Sequence, residues 1–158
     1  DTATATCAIF LISIGAAMFQ RLMGMSQLPT AFANNVLSLS DNLYVIIFFI
    51  ALMYLVLGMF LESIGIMLLT LPVLMPLLNH FDVNMIWFCI LTVKLLEIGM
   101  VTPPLGLNVF VVKSALGKEV NLVTIFRGVS WFVVTDLLVL TLLVAFPVLS
   151  LYLPDLIG

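Results

Sequence analysis

Charge is what this sequence has least of. Five basic and eight acidic side chains among 158 residues leave 8% of positions charged and 64% hydrophobic, against about 25% and roughly 45–50% in ordinary soluble domains. So few ions cannot cover the surface of a soluble domain of this length. A formal net charge of -3 without any basic patch excludes a nucleic-acid partner. Cysteine is nearly absent too. Cys7 and Cys89 lie in apolar stretches without CxxC or Cys/His spacing, so both read as small buried hydrophobes and neither a disulfide nor a metal pair is expected. The one histidine, His80, sits among polar residues and reads as a solvated side chain. No Ser/His/Asp set, P-loop, paired catalytic carboxylates or metal motif occurs, so neither an enzyme nor a bound cofactor is expected. Asp1 precedes the first apolar run without a basic n-region, which reads as a piece of a longer polypeptide with no signal peptide.

What the sequence has instead is long apolar runs, and they predict an all-α integral membrane protein. Residues 4–23 make one plain span, long enough at ~1.5 Å per residue to cross the ~30 Å hydrocarbon layer. Residues 24–40 mix Pro29, Asn34, Asn35 and serines with apolar residues and predict a short amphipathic piece at the interface. Asp41 and Asn42 cap the next apolar segment. Residues 43–78 would be ~54 Å long as one straight helix, so they must break or fold back. The expected break is Gly58 to Ser63, with the only charge of the segment at Glu62. Residues 83–116 repeat the pattern around Gly99-Met100-Val101-Thr102-Pro103-Pro104-Leu105-Gly106-Leu107-Asn108. The last span falls within residues 122–153, its apolar part from about Val129, closed by Pro147 and Pro154.

Lys113, Lys118 and Arg127 flank one loop, which the positive-inside rule makes cytoplasmic, with Asp41 and Asn79 to Asp82 on the other side. Arg21 is the exception. A re-entrant hairpin over 43–78 and a discontinuous helix over 83–116 then place every loop consistently.

Two consecutive prolines remove two amide donors and turn the preceding residues away from helical geometry. Carbonyls upstream lose their partners, and in lipid such backbone is tolerated only where it is covered by protein or lines a cavity. The cluster therefore marks a candidate ion site, in which unwound carbonyls and helix C-terminal ends coordinate a cation. Gly58 has two readings, close helix packing or part of that site. Glu62 either tunes the hairpin tip or is the N-terminal charge of the second arm, the latter favoured. Lys94 and Glu97 stand i and i+3 and read as a structural ion pair rather than a proton relay. Asp136 either lies near the interface or pairs with Arg127 or another helix.

At Leu57-Gly58-Met59-Phe60-Leu61-Glu62, and more specifically at Glu97 to Val111 with its Gly-x-x-Thr-Pro-Pro-x-Gly pattern, the chain resembles the large membrane subunit of TRAP transporters, the tripartite ATP-independent periplasmic carriers. Gly15-Ala16-Ala17-Met18 and the stretch Phe146 to Pro154 extend the resemblance over essentially all 158 residues. The resemblance implies the second inverted repeat of an elevator-type, Na⁺-coupled importer of small organic anions such as carboxylates, in the bacterial inner membrane. It implies a small membrane (Q) subunit and a periplasmic substrate-binding protein as partners, the lipid bilayer as surroundings, and Na⁺ as coupling ion. Carried over, the Na⁺ site comprises Gly58, Gly99, Thr102 and Leu105, the last through its carbonyl, shaped by Glu62, Ser63, Pro103, Pro104, Gly106 and Asn108. The first repeat of that family is missing, so the chain by itself is not expected to transport. The rival readings are a non-transporting membrane scaffold or assembly subunit, an ion-coupled anion carrier without a binding protein, and an uncoupled channel.

Overall fold

The computed structural model of the protein describes residues 2–104, 106–116 and 120–157. All regular elements among them are helices: α1 Thr2–Ser26, α2 Leu28–Leu39, α3 Leu43–Phe60, α4 Ser63–His80, α5 Met85–Val101, α6 Leu107–Leu116, α7 Leu122–Ala145 and α8 Val148–Ile157.

The helix boundaries follow from a few polar residues and prolines. The Asn42 side chain accepts from the Tyr44 amide at 3.0 Å, Asn84 caps α5 through the Ile86 and Trp87 amides, and Asn121 caps α7 through the Val123 amide. The turn after α4 is a Schellman motif. Asp82 takes φ 49, its amide reaches the Asn79 carbonyl at 3.3 Å, and the Val83 amide reaches the Leu78 carbonyl at 3.1 Å.

The surface is apolar. Helices α3, α4 and α7 are long and apolar enough to cross a membrane. Among its described residues α7 buries only Leu140, while Trp131 and Phe132 are 77% and 72% exposed. Water would penalise such a surface and hydrocarbon would not. The chain is a membrane protein.

Two compact units form, Asp1–Phe48 with Ile64–Val83, and Phe49–Ser63 with Asn84–Gly158. In the first, Ala16, Ala33, Ile46, Ile47, Ile66, Leu74, Leu77 and Leu78 are buried. The His80 Nε2 atom lies 3.6 Å from the Asp41 carboxylate, so His80 has a partner rather than water alone. Pro72, inside α4, has no amide to give the Leu68 carbonyl, and the Gln20 side chain donates to that carbonyl at 3.5 Å. The second unit is built around α5, which packs on α6, α7 and α8 and buries Trp87, Phe88, Leu91, Thr92, Leu95, Leu96, Ile98 and Gly99.

Three features differ from the reading of the sequence. Residues 122–153 are not one continuous helix, because Phe146 leaves helical geometry at φ -127 and α8 begins only at Val148, after Pro147. Each of α3 and α4 has 18 residues, ~27 Å, with the break confined to Leu61 and Glu62. Cys7 is exposed and Cys89 partly so, rather than buried.

Candidate functional site

Gly58 and Gly99 are buried where the C-terminal ends of α3 and α5 touch. A methyl group on Gly99 would stand 2.8 Å from the Gly58 Cα, 3.0 Å from its carbonyl carbon and 3.1 Å from the Leu55 carbonyl oxygen. One on Gly58 would stand 3.2 Å from the Gly99 Cα and 3.4 Å from the Leu96 carbonyl oxygen. Only hydrogens fit there. Contact this close is possible because neither residue carries a Cβ.

The consequence is electrostatic. Both helices end at the contact, α3 at Phe60 and α5 at Val101, and the last carbonyls of a helix carry the negative end of its dipole. Two such ends in one place favour a cation. At the end of α5 the prolines sharpen the effect. Pro103 and Pro104 stand four residues beyond Gly99 and Met100 and have no amide hydrogen for those carbonyls. The Gly99 carbonyl instead accepts from the Thr102 amide at 3.1 Å.

Thr102, half-buried, closes α5 at φ -83 and ψ 138. Its hydroxyl donates to the Ile98 carbonyl at 2.6 Å, which uses the proton and leaves the oxygen lone pairs to accept or to coordinate. Pro103 and Pro104, joined by a cis peptide, are exposed. Before α6 comes Gly106, whose φ of 54 lies in the left-handed region. A methyl group there would meet Phe126 Cε1 at 3.1 Å and the carbonyl oxygens of Val101 and Thr102 at 3.2 and 3.3 Å. Two main-chain oxygens thus converge on one point of the break.

The structure therefore brings Gly58, Gly99 and Thr102 together through direct contacts, with Pro103, Pro104 and Gly106 shaping the turn. Leu105 lies outside the described residues. Glu62 is exposed in the break between α3 and α4, Ser63 begins α4 half-buried, and Asn108 is exposed on the first turn of α6. The carbonyls of Leu55 and Leu96 beside the glycine contact, and of Val101 beside Gly106, are neighbours that residue types could not announce, since any residue supplies a carbonyl. Tyr54 is fully buried one turn before Gly58.

The charged residues group apart from this break. Lys94 Nζ stands 2.9 Å from Asp136 Oδ1 and 3.1 Å from Glu97 Oε2, so Asp136 pairs with a residue of α5 and not with Arg127. Because α7 begins at Leu122, Asp136 stands fourteen residues beyond its first residue, in the middle part of the helix. Among the described residues no group of three His, Cys, Asp or Glu side chains is placed to hold a metal ion.

Comparison with known proteins agrees with the family resemblance. The family model described as "Tripartite ATP-independent periplasmic transporter, DctM component" matches residues 1–149. The sialic acid TRAP transporter large permease protein SiaM of Vibrio cholerae is 34% identical over 99% of this chain and 36% of its own length. The C4-dicarboxylate TRAP transporter large permease protein DctM of Pseudomonas aeruginosa is 29% identical over 97% of this chain and 35% of its own. The sialic acid TRAP transporter permease protein SiaT of Haemophilus influenzae is 28% identical over 96% of this chain and 24% of its own. This chain spans about a third, or less, of the length of these relatives. It belongs to the DctM-component family of tripartite ATP-independent periplasmic transporters.

Proposed function

We propose that this chain is part of the large permease of a Na⁺-coupled secondary importer of small organic anions in a bacterial inner membrane. It works there with a small membrane subunit and a periplasmic binding protein. The observation that carries this reading is the meeting of two helix C-terminal ends at Gly58 and Gly99, beside a proline-made break where the Val101 and Thr102 carbonyl oxygens approach Gly106. A dehydrated Na⁺ needs several oxygens and no strong anion, which fits carbonyls, the Thr102 hydroxyl and two dipole ends. The substrate class follows the relatives, whose names specify sialic acid and C4-dicarboxylates, both organic acids.

In this reading α3 and α4 form a re-entrant hairpin, α5 and α6 a discontinuous helix, and the two belong to one repeat of an elevator. The contact of His80 with Asp41 at 3.6 Å, which joins the residues just before α3 and at the end of α4, supports the hairpin. An impermeant thiol reagent tests it on cysteines placed singly at positions 41, 82 and 118 of the full permease. Labelling of 41 and 82 from the periplasmic side and of 118 only after permeabilisation is expected; outside labelling of 118 overturns the topology.

The coupling ion is tested by uptake against Na⁺ concentration in the complete transporter. Thr102→Val keeps the shape and removes the oxygen, and Thr102→Ser keeps the oxygen. The valine variant is expected to need about tenfold more Na⁺ for half-maximal uptake, the loss of roughly 1.4 kcal/mol of ion binding, with docking of the binding protein unchanged. The serine variant stays near the parent. A non-transporting scaffold, in which the breaks serve packing alone, gives no Na⁺-dependent uptake in any variant, and superimposable curves return Thr102 to a structural role.

A further inference from the structure

The cluster of Lys94, Glu97 and Asp136 plays no part in the ion reading. Its one ammonium lies between two carboxylates, which leaves one negative charge over. Asp136 lies fourteen residues from Leu122 and nine from Ala145 in α7, a helix long and apolar enough to cross a membrane. The cluster therefore stands in the middle part of α7, which in a crossing helix lies within the hydrocarbon layer. It is also open: Glu97 is 56% exposed, Asp136 35% and Lys94 27%. Ionised side chains at that depth face protein or water and pair with one another, because hydrocarbon does not solvate them.

The surface leading to the cluster is apolar and open. Met85, Ile86, Cys89, Ile90 and Val93 recur at helical spacing along α5 and, with Lys94, line an open groove of about 550 Å³. They occupy the face opposite Trp87, Phe88, Leu91 and Leu95, which are buried against the rest of the unit. A helix apolar on both faces is a helix surrounded on both faces. Lipid tails could fill the apolar length of the groove and would leave the carboxylate at its end without a counter-charge. A helix carrying a cation at that level satisfies both parts.

We propose that this face of α5 receives a transmembrane helix from the portion of the permease outside this chain, and that an Arg or Lys of that helix pairs with Glu97. The relatives leave ample room for one, since the chain covers only 36% of SiaM and 35% of DctM. The excess charge selects a basic partner and rejects an acidic one.

The test uses the full-length permease with its small subunit in native membranes, and reads no transport, so it is independent of whether Na⁺ is coupled. A benzophenone amino acid replaces Val93, which is 44% exposed in the groove, and adducts formed under ultraviolet light are mapped by mass spectrometry. The expected adduct is within the large permease, on an apolar segment that carries an Arg or Lys. Adducts with lipid alone, with the small subunit, with an apolar segment lacking a basic residue, or no adduct at all overturn the proposal. A second arm tests the charge. In the same background Glu97→Lys is expected to lower the yield of that adduct at least about fivefold, as like charges repel, and Glu97→Gln less. Reversing the mapped basic residue to Glu in the Glu97→Lys protein restores it. An unchanged yield with Glu97→Lys also overturns the proposal, and if that variant fails to assemble the adduct map of the unaltered charge cluster decides.

Discussion

The indole nitrogen of Trp87 in α5 donates a 2.8 Å hydrogen bond to the Leu143 carbonyl in α7, and that carbonyl stands four residues before Pro147, which has no amide to offer it. One side chain thus repairs a helix end in another element. The contact between Gln20 and Leu68, four residues before Pro72, is the same device in longer form at 3.5 Å.

Trp87→Phe keeps most of the packing and removes the donor. It is expected to cost about 1–2 kcal/mol, within the range for leaving a buried acceptor unpaired. Pro147→Ala supplies an amide near the same carbonyl, so the loss from Trp87→Phe should shrink in that background. Thermal unfolding of the purified full-length permease for the four proteins of the cycle measures the coupling, and additive losses would contradict this account.

Gly58 and Gly99 predict an asymmetric pair of substitutions. A methyl group on Gly99 meets backbone at 2.8 and 3.0 Å, and one on Gly58 at 3.2 Å. Neither neighbour can swing aside as a side chain would. Gly99→Ala is therefore expected to cost about 1–3 kcal/mol by overpacking, with Gly58→Ala smaller. Gly128, in α7, has nothing within 4 Å of the added methyl, and Gly128→Ala should be neutral or stabilising by up to about 1 kcal/mol. Melting temperatures of the three variants give the order.

The breaks in this fold could be read from sequence because proline and glycine act locally: the end of α5 at Val101 follows from Thr102-Pro103-Pro104 with no knowledge of neighbours. The fold class could be read for a similar reason, since apolar length and scarce charge need no tertiary contact to interpret. What the sequence leaves open has a cause of the opposite kind. Asp136 finds Lys94 only because α5 packs on α7, and nothing along either helix encodes that pairing. The carbonyls beside Gly106 are invisible in the same sense, being common to all residues.

Gly106 carries two constraints that substitutions can separate. Its φ of 54 disfavours any Cβ, by about 1–2 kcal/mol, and a methyl group would also crowd Phe126 Cε1 at 3.1 Å. Gly106→Ala should thus lose at least about 1–2 kcal/mol, and adding Phe126→Leu should recover only the crowding part. Full recovery in thermal unfolding would show that the backbone conformation costs nothing here.

The cluster on α5 and α7 gives the remaining prediction. Lys94 is shared by two carboxylates, of which Asp136 is nearer, at 2.9 against 3.1 Å, and less exposed, at 35% against 56%. Asp136 also joins different helices, whereas Glu97 lies one turn along the same one and is already held near Lys94 by the backbone. Polar contacts between membrane helices are worth about 0.6 kcal/mol on average and up to about 1.7. Asp136→Asn is expected in that range, and Glu97→Gln below it. Lys94→Met should cost most, because it leaves two carboxylates facing each other with no cation between them. Unfolding of the purified permease in lipid nanodiscs orders the three. A loss from Glu97→Gln equal to that from Asp136→Asn would mean that the helix-to-helix bond contributes no more than the contact within α5, and would remove the cluster from the forces that hold α5 against α7.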